Sequence, residues 1–134
     1  MMLHVLRVVV GVMLAGVVLG CSTPDEKKQA FMDKGDQLYE QKAFVKARLE
    51  YKNAVQIDPE SAVGHYRLGR TELALSNVKQ AYGLMAKAVE LDPDLIAARI
   101  DLGRLLLSGR APDQAEEQAD AVLARDPDNV DAGL

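Results

Sequence analysis

Two hydrophobic patterns divide the chain. From Val8 to Leu19 every residue is apolar or glycine, with Arg7 before the run and Ser22-Thr23-Pro24-Asp25-Glu26 after it. A membrane span needs about 20 apolar residues, and a run of about 10–14 behind a positive charge fits the apolar stretch of an export signal. A buried core helix would alternate with polar residues instead. Beyond this run, small residues recur at a fixed interval. Gly35, Gly69 and Gly103 lie 34 apart, as do Ala47, Ala81 and Ala115, and Ala54, Ala88 and Val122. The pairs Asp58-Pro59, Asp92-Pro93 and Asp126-Pro127 keep the same spacing. Such a period predicts stacked helix pairs: units 28–61, 62–95 and 96–129, with a fourth beginning at Val130 and running to Leu134. In each unit the glycine falls at position 8, in a first helix, and the alanines at positions 20 and 27, in a second, with Val122 taking position 27 of the third unit. Small side chains there let two backbones approach closely and cross. The Asp-Pro pairs are expected to open helices, aspartate capping N–H groups and proline filling the first turn. Ser76-Asn77 and Gly109 are expected to mark turns within units, and Pro112 to open the last helix.

This interval and small-residue pattern resemble the tetratricopeptide repeat (TPR), over residues 28–129. The resemblance implies an all-α fold, a right-handed superhelix of antiparallel helix pairs with three repeats and the start of a fourth. The chain departs from the family pattern in places. Position 4 runs Phe31, His65, Arg99; position 11 runs Leu38, Glu72, Leu106; position 24 runs Tyr51, Met85, Ala119. Apolar packing is therefore expected to be richest in the first unit and leanest in the third, which should be the least stable in isolation. Because a repeat array normally ends in a polar capping helix, a chain stopping just inside a new repeat is expected to be a piece of a longer protein or an incomplete product.

Charge narrows the partners. The chain carries 16 Lys and Arg against 20 Asp and Glu, and residues 1–20 hold only Arg7 among them, leaving 15 against 20 once a signal is removed. That balance disfavours nucleic acid and a polybasic membrane surface. Cys21 is the only cysteine, so no internal disulfide forms. The residues Val18-Leu19-Gly20-Cys21 resemble a bacterial lipobox. The resemblance implies a signal peptide over 1–20, a lipid on Cys21 as the first mature residue, and a short tether over 21–27. Each buried CH₂ of such a lipid contributes about 0.8 kcal/mol, so two or more acyl chains hold stably where one does not. Ser22 after the cysteine, rather than an aspartate, implies a periplasm-facing chain on the outer membrane in preference to the inner. The other reading of Cys21 is an isolated cysteine in a soluble exported protein.

Candidate chemistry is sparse. His65 is the only histidine outside the signal and holds a helix-packing position. No serine has an evident base beside it, and adjacent acids such as Glu116-Glu117 diverge on a helix. An enzyme is not expected, nor a cofactor, a metal or a small-molecule substrate. The run from Asp126 to Gly133 lacks the acid or amide and the glycine that a calcium loop places at its fifth and sixth positions, and reads as a capping turn.

The remaining candidate is a groove. The TPR resemblance implies that first-helix positions 2, 5, 9 and 12 line a concave face. Their spacings form one stripe, roughly 130° from the packing stripe of positions 4, 7, 8 and 11. On this chain the stripe is Gln29, Met32, Asp36 and Tyr39; Val63, Tyr66, Arg70 and Leu73; and Ala97, Ile100, Arg104 and Leu107. Tyr39, Tyr66, Leu73, Ile100 and Leu107 would form an apolar floor. Arg70 and Arg104, at one place in successive units, could pair with carboxylates of a protein or peptide ligand. The alternative is that the apolar members pack within the stack and the arginines are solvated. The lysine–asparagine pattern of chaperone-tail carboxylate clamps is absent. The run from Lys46 to Pro59 resembles the opening repeats of TPR lipoproteins associated with exosortase and exopolysaccharide systems, which implies surface protein sorting or polysaccharide export. A pilus or outer-membrane assembly lipoprotein, and an accessory part of a longer enzyme, are the competing readings.

Overall fold

Helix follows turn with a constant beat along residues 22–133, the part of the chain that the computed structural model describes. Six α-helices succeed one another: α1 (Pro24–Glu40), α2 (Phe44–Ile57), α3 (Ala62–Ala74), α4 (Val78–Leu91), α5 (Ile96–Ser108) and α6 (Pro112–Leu123). A 3₁₀ turn, Val130–Ala132, closes the described chain. The helices pack as antiparallel pairs, α1 with α2, α3 with α4 and α5 with α6, and each pair leans on the next. The all-α expectation holds. Cys21, the residue expected to carry a lipid, and the apolar run before it lie outside the described residues, among which no helix is long and apolar enough to cross a membrane.

The first helix starts earlier than the repeat boundary at 28. Thr23 accepts a hydrogen bond from the Glu26 N–H while the Glu26 carboxylate accepts one from the Thr23 N–H, a reciprocal capping box with Pro24 in the first turn. Residues 24–27 of the expected tether are therefore helical. Lys28 donates to Asp58 at 2.9 Å and ties α1 to the end of α2; the ammonium lowers the Asp58 pKa, and the carboxylate raises that of Lys28.

The turns within pairs share one construction. Lys42, Ser76 and Arg110, again 34 apart, have φ of 58°, 63° and 62°. The N–H that follows each bonds five residues back, Ala43 to Leu38 at 2.8 Å, Asn77 to Glu72 at 2.8 Å and Ala111 to Leu106 at 2.9 Å. Each positive-φ residue also bonds three back, giving the Schellman arrangement in all three units. Gly109 sits at the expected turn with φ −81°, and the left-handed residue is its neighbour Arg110.

The first two Asp-Pro pairs act opposite to expectation and end helices, while Asp126-Pro127 lies in the turn beyond the Ala124 cap of α6. Asp58 and Asp92 cap the C-termini of α2 and α4 with extended backbones, because a residue before proline is pushed out of the helical region. Their carboxylates accept N–H groups of Glu60 and Asp94 inside the turn. Proline lies outside the following helix, and Ser61 caps α3 by accepting from the Gly64 N–H at 3.1 Å. Position 4 latches these turns: His65 Nε2 bonds the Pro59 carbonyl at 2.8 Å and Arg99 donates to the Pro93 carbonyl at 2.6 Å. Pro112 opens α6 as expected.

The recurring alanines are all buried, as are Ala54, Ala88 and Val122. Gly35 lies against the Tyr51 ring, and a Cβ there would stand 2.5 Å from a ring carbon. Gly69 faces Met85 and the Ala81 carbonyl, and Gly103 is buried in α5. Glu72, the polar departure at position 11, is only 2% exposed. It accepts a hydrogen bond from Asn77 at 2.7 Å, with Arg48 at 3.8 Å, so the buried charge is partnered. In the third unit Ala119 is half-buried where Tyr51 and Met85 fill the core of the first two.

An L-residue in the left-handed region costs roughly 1–2 kcal/mol that glycine avoids. Ser76→Gly is therefore expected to stabilise the chain by about 0.5–1 kcal/mol, after allowing for the freer unfolded chain. Urea unfolding checks this; an unchanged or lowered midpoint would contradict the strain assigned to Ser76.

Candidate peptide-binding groove

The first helices of the three pairs enclose a cavity of about 520 Å³ lined by Asp36, Tyr39, Glu40, Tyr51, Tyr66, Arg67, Arg70 and Ala97. α1 contributes the first three residues, α3 contributes Tyr66, Arg67 and Arg70, and α5 contributes Ala97. Tyr51 arrives from the second layer. Its ring passes over the bare face of Gly35, and its hydroxyl donates to Asp36 Oδ1 at 2.6 Å. The other oxygen of Asp36 pairs with Arg67. From the residue just before Arg67 on α3, the Tyr66 hydroxyl donates to Asp101 Oδ2 at 2.8 Å.

Arg70 stands between two rings. Its guanidinium carbon is 5.1 Å from the centroid of Tyr39 and 5.9 Å from that of Tyr66. Both distances fall within the reach of a cation–π attraction. Its Nε is 3.8 Å from Asp101 Oδ2. Tyr39 is itself braced edge-on by Phe44, with centroids 5.1 Å apart. Burial pushes the Tyr51 hydroxyl up to about 12, with Tyr39 adding to the rise. Burial also brings Tyr66 to about 12, helped by its hydrogen bond to Asp101, since a phenolate could not donate that bond.

Of the stripe expected from sequence, Asp36, Tyr39, Tyr66, Arg70 and Ala97 line this cavity together. Leu73 and Leu107 remain 38% and 40% exposed on the same stripe but do not line it. Ile100 is a correction. It is only 9% exposed and packs with Val122 and Ala132, so it belongs to the core beneath the third pair. Met32, on the same stripe position, is likewise core. Arg104 is not a second Arg70: it donates to Asp131 at 3.1 Å and lies 3.6 Å from Asp101, with no aromatic ring over it. The sequence reading missed Arg67, Asp101 and Tyr51. A signal for the first two exists. Position 9 of one unit and position 6 of the next carry opposite charges, Asp36 with Arg67 and Arg70 with Asp101, each pair 31 residues apart. Among the described residues no cluster of three or more His, Cys, Asp or Glu side chains could hold a metal ion.

Stacked antiparallel helix pairs around a first-helix groove define a helical-repeat solenoid. Residues 72–133 match the family described as tetratricopeptide repeat. The fold is shared with the TPR domain of Arabidopsis OM64, at a TM-score of 0.76 and 23% identity over 82% of this chain and 91% of that one. It is shared equally with the first TPR of Spaghetti (RPAP3) bound to the HSP90 peptide SRMEEVD, at a TM-score of 0.74 and 20% identity over 80% and 87% of the two chains. The architecture is thus a TPR superhelix. Among curated sequences, DnaJ homolog subfamily C member 3 of Bos taurus is 30% identical over 122 residues, 91% of this chain. The chain spans only 24% of the length of that relative.

Raised tyrosine pKa values make stability fall at high pH. Stability is intact below the ordinary value of 10 and is lost as pH rises through about 12, because the unfolded chain sheds these protons first. Spectrophotometric titration should show a tyrosinate step near pH 12 that shrinks in both Tyr51→Phe and Tyr66→Phe. A step near 10 for both residues would contradict the burial described above.

Proposed function

We propose that this chain is a membrane-anchored scaffold whose groove holds a segment of another protein in the bacterial envelope. The observation that carries the reading is the cavity itself. It spans all three helix pairs, has tyrosine walls, and presents Arg70 between them. An aromatic-lined trough with a few placed polar groups suits an extended or helical peptide. The Spaghetti (RPAP3) repeat, which shares the fold, is bound to a peptide. A lipid on Cys21 would hold the scaffold at the periplasmic face of a membrane, the outer one by the lean of Ser22, and the capping box at Thr23 starts the rigid helix two residues beyond that anchor. Surface protein sorting or exopolysaccharide export is the pathway supported by the resemblance of residues 46–59.

Two measurements in a bacterial host test this. Metabolic labelling with a palmitate analogue should mark the chain in the membrane fraction and leave Cys21→Ser unlabelled and released; equal labelling of both would remove the anchor. A photo-crosslinker in place of exposed Leu73, on the same helix stripe as Tyr66 and Arg70, should trap envelope proteins, and Tyr66→Ala should reduce the yield severalfold. Trapping unaffected by Tyr66→Ala would count against the groove.

A further inference from the structure

Four charged side chains line the cavity, and they differ in how far their bonding capacity is used. Asp36 has both oxygens engaged, one on the Tyr51 hydroxyl and the other on Arg67. Arg67 has its charge paired with that same carboxylate through one terminal nitrogen. Arg70 is held but not satisfied. Two rings flank its guanidinium, Asp101 faces its Nε, and neither terminal nitrogen has a hydrogen-bond partner among the described residues, with the side chain 46% exposed. Asp101 is itself fixed from two sides, by the Tyr66 hydroxyl and by Arg104 at 3.6 Å. The planar fork is therefore oriented before any ligand arrives, and its outer edge offers two parallel N–H groups. That edge matches one carboxylate bidentately, with little ordering left to do. The fourth group, Glu40, is exposed at the rim and has no cation within ion-pair distance among the described residues. It repels any second acid brought to the same mouth.

We propose that the groove selects a peptide segment bearing a single aspartate or glutamate between apolar residues. The carboxylate seats on the outer edge of Arg70 and the apolar neighbours lie along Tyr39 and Tyr66. Acid-rich tails such as SRMEEVD, carried by the Spaghetti (RPAP3) structure, are disfavoured because one free fork meets several acids beside Glu40. This selectivity rests on the groove being a peptide site, and its test separates the two.

A displayed random-peptide library is selected on the full chain in detergent, and an enriched peptide is remade with Glu, Gln or Lys at its acidic position. Fluorescence anisotropy then compares these three and SRMEEVD. The Glu form should bind about tenfold more tightly than the Gln form, the scale of a charge-assisted bidentate contact. Arg70→Gln should erase that difference while the melting temperature holds. Glu40→Gln should strengthen SRMEEVD binding. Enrichment of uncharged or basic peptides, or a Glu preference that survives Arg70→Gln, overturns the selectivity and leaves the peptide site standing. SRMEEVD binding as tightly as the Glu form overturns the single-acid part. A library that yields no enriched peptide overturns the peptide site itself.

Discussion

The close approach of paired helices at glycine and alanine governs everything else in this molecule. At Gly35 the approach is tight enough that a single methyl group would collide with the Tyr51 ring. The contact does more than fill the core. Because α1 offers no side chain there, the Tyr51 ring crosses its face and delivers a hydroxyl from the second layer to Asp36 in the groove. Asp36 then fixes Arg67 on the next pair. A packing constraint inside one repeat thus sets the position of a charged side chain in another, and the groove's geometry is inherited from the core.

The charged pairs along the groove add little stability by themselves. They are roughly one-quarter to one-half exposed, and such pairs contribute about 0–1 kcal/mol. Their effect is positional. Each joins one first helix to the next with a fixed partner, and together they leave Arg70 as the lining cation whose two terminal nitrogens both lack a partner among the described residues. Tyr39 and Tyr66 complete its support, and Phe44 supports Tyr39 in turn. The site is assembled from side chains whose own orientations are fixed by neighbours, which is what lets a shallow trough have a preferred ligand.

The fold was legible because helical repeats write their packing directly as a period. The alanines at 47, 81 and 115 and the glycines at 35 and 69 sit where the interval of 34 places them. Three things were not legible. The Asp-Pro pairs read as helix starts on capping preferences alone, yet at Asp58 and Asp92 the steric demand of proline on the residue before it is stronger and stops the preceding helix. Lys42, Ser76 and Arg110 give no compositional hint of positive φ, since the Schellman bonds impose that conformation on unlike residues. Ile100 shares its stripe position with Met32 and Tyr66, and that position is core in the first and third pairs, where in the third Val122 and Ala132 cover it. Tyr66 and Arg70 were visible as a stripe; their partners Asp101 and Arg67 belong to an adjoining position and become neighbours only through stacking.

Two glycines in helices test the dependence on close approach most directly. Gly83 in α4 has open space where a Cβ would go, whereas the same atom on Gly35 would meet Tyr51 at 2.5 Å. Urea unfolding of Gly83→Ala and Gly35→Ala compares the same chemical change with and without a crossing partner. Gly83→Ala should gain up to about 1 kcal/mol from helix propensity. Gly35→Ala should lose about 1–3 kcal/mol from overpacking. If both substitutions stabilise the chain equally, nesting at the small residues is not what holds these helices together.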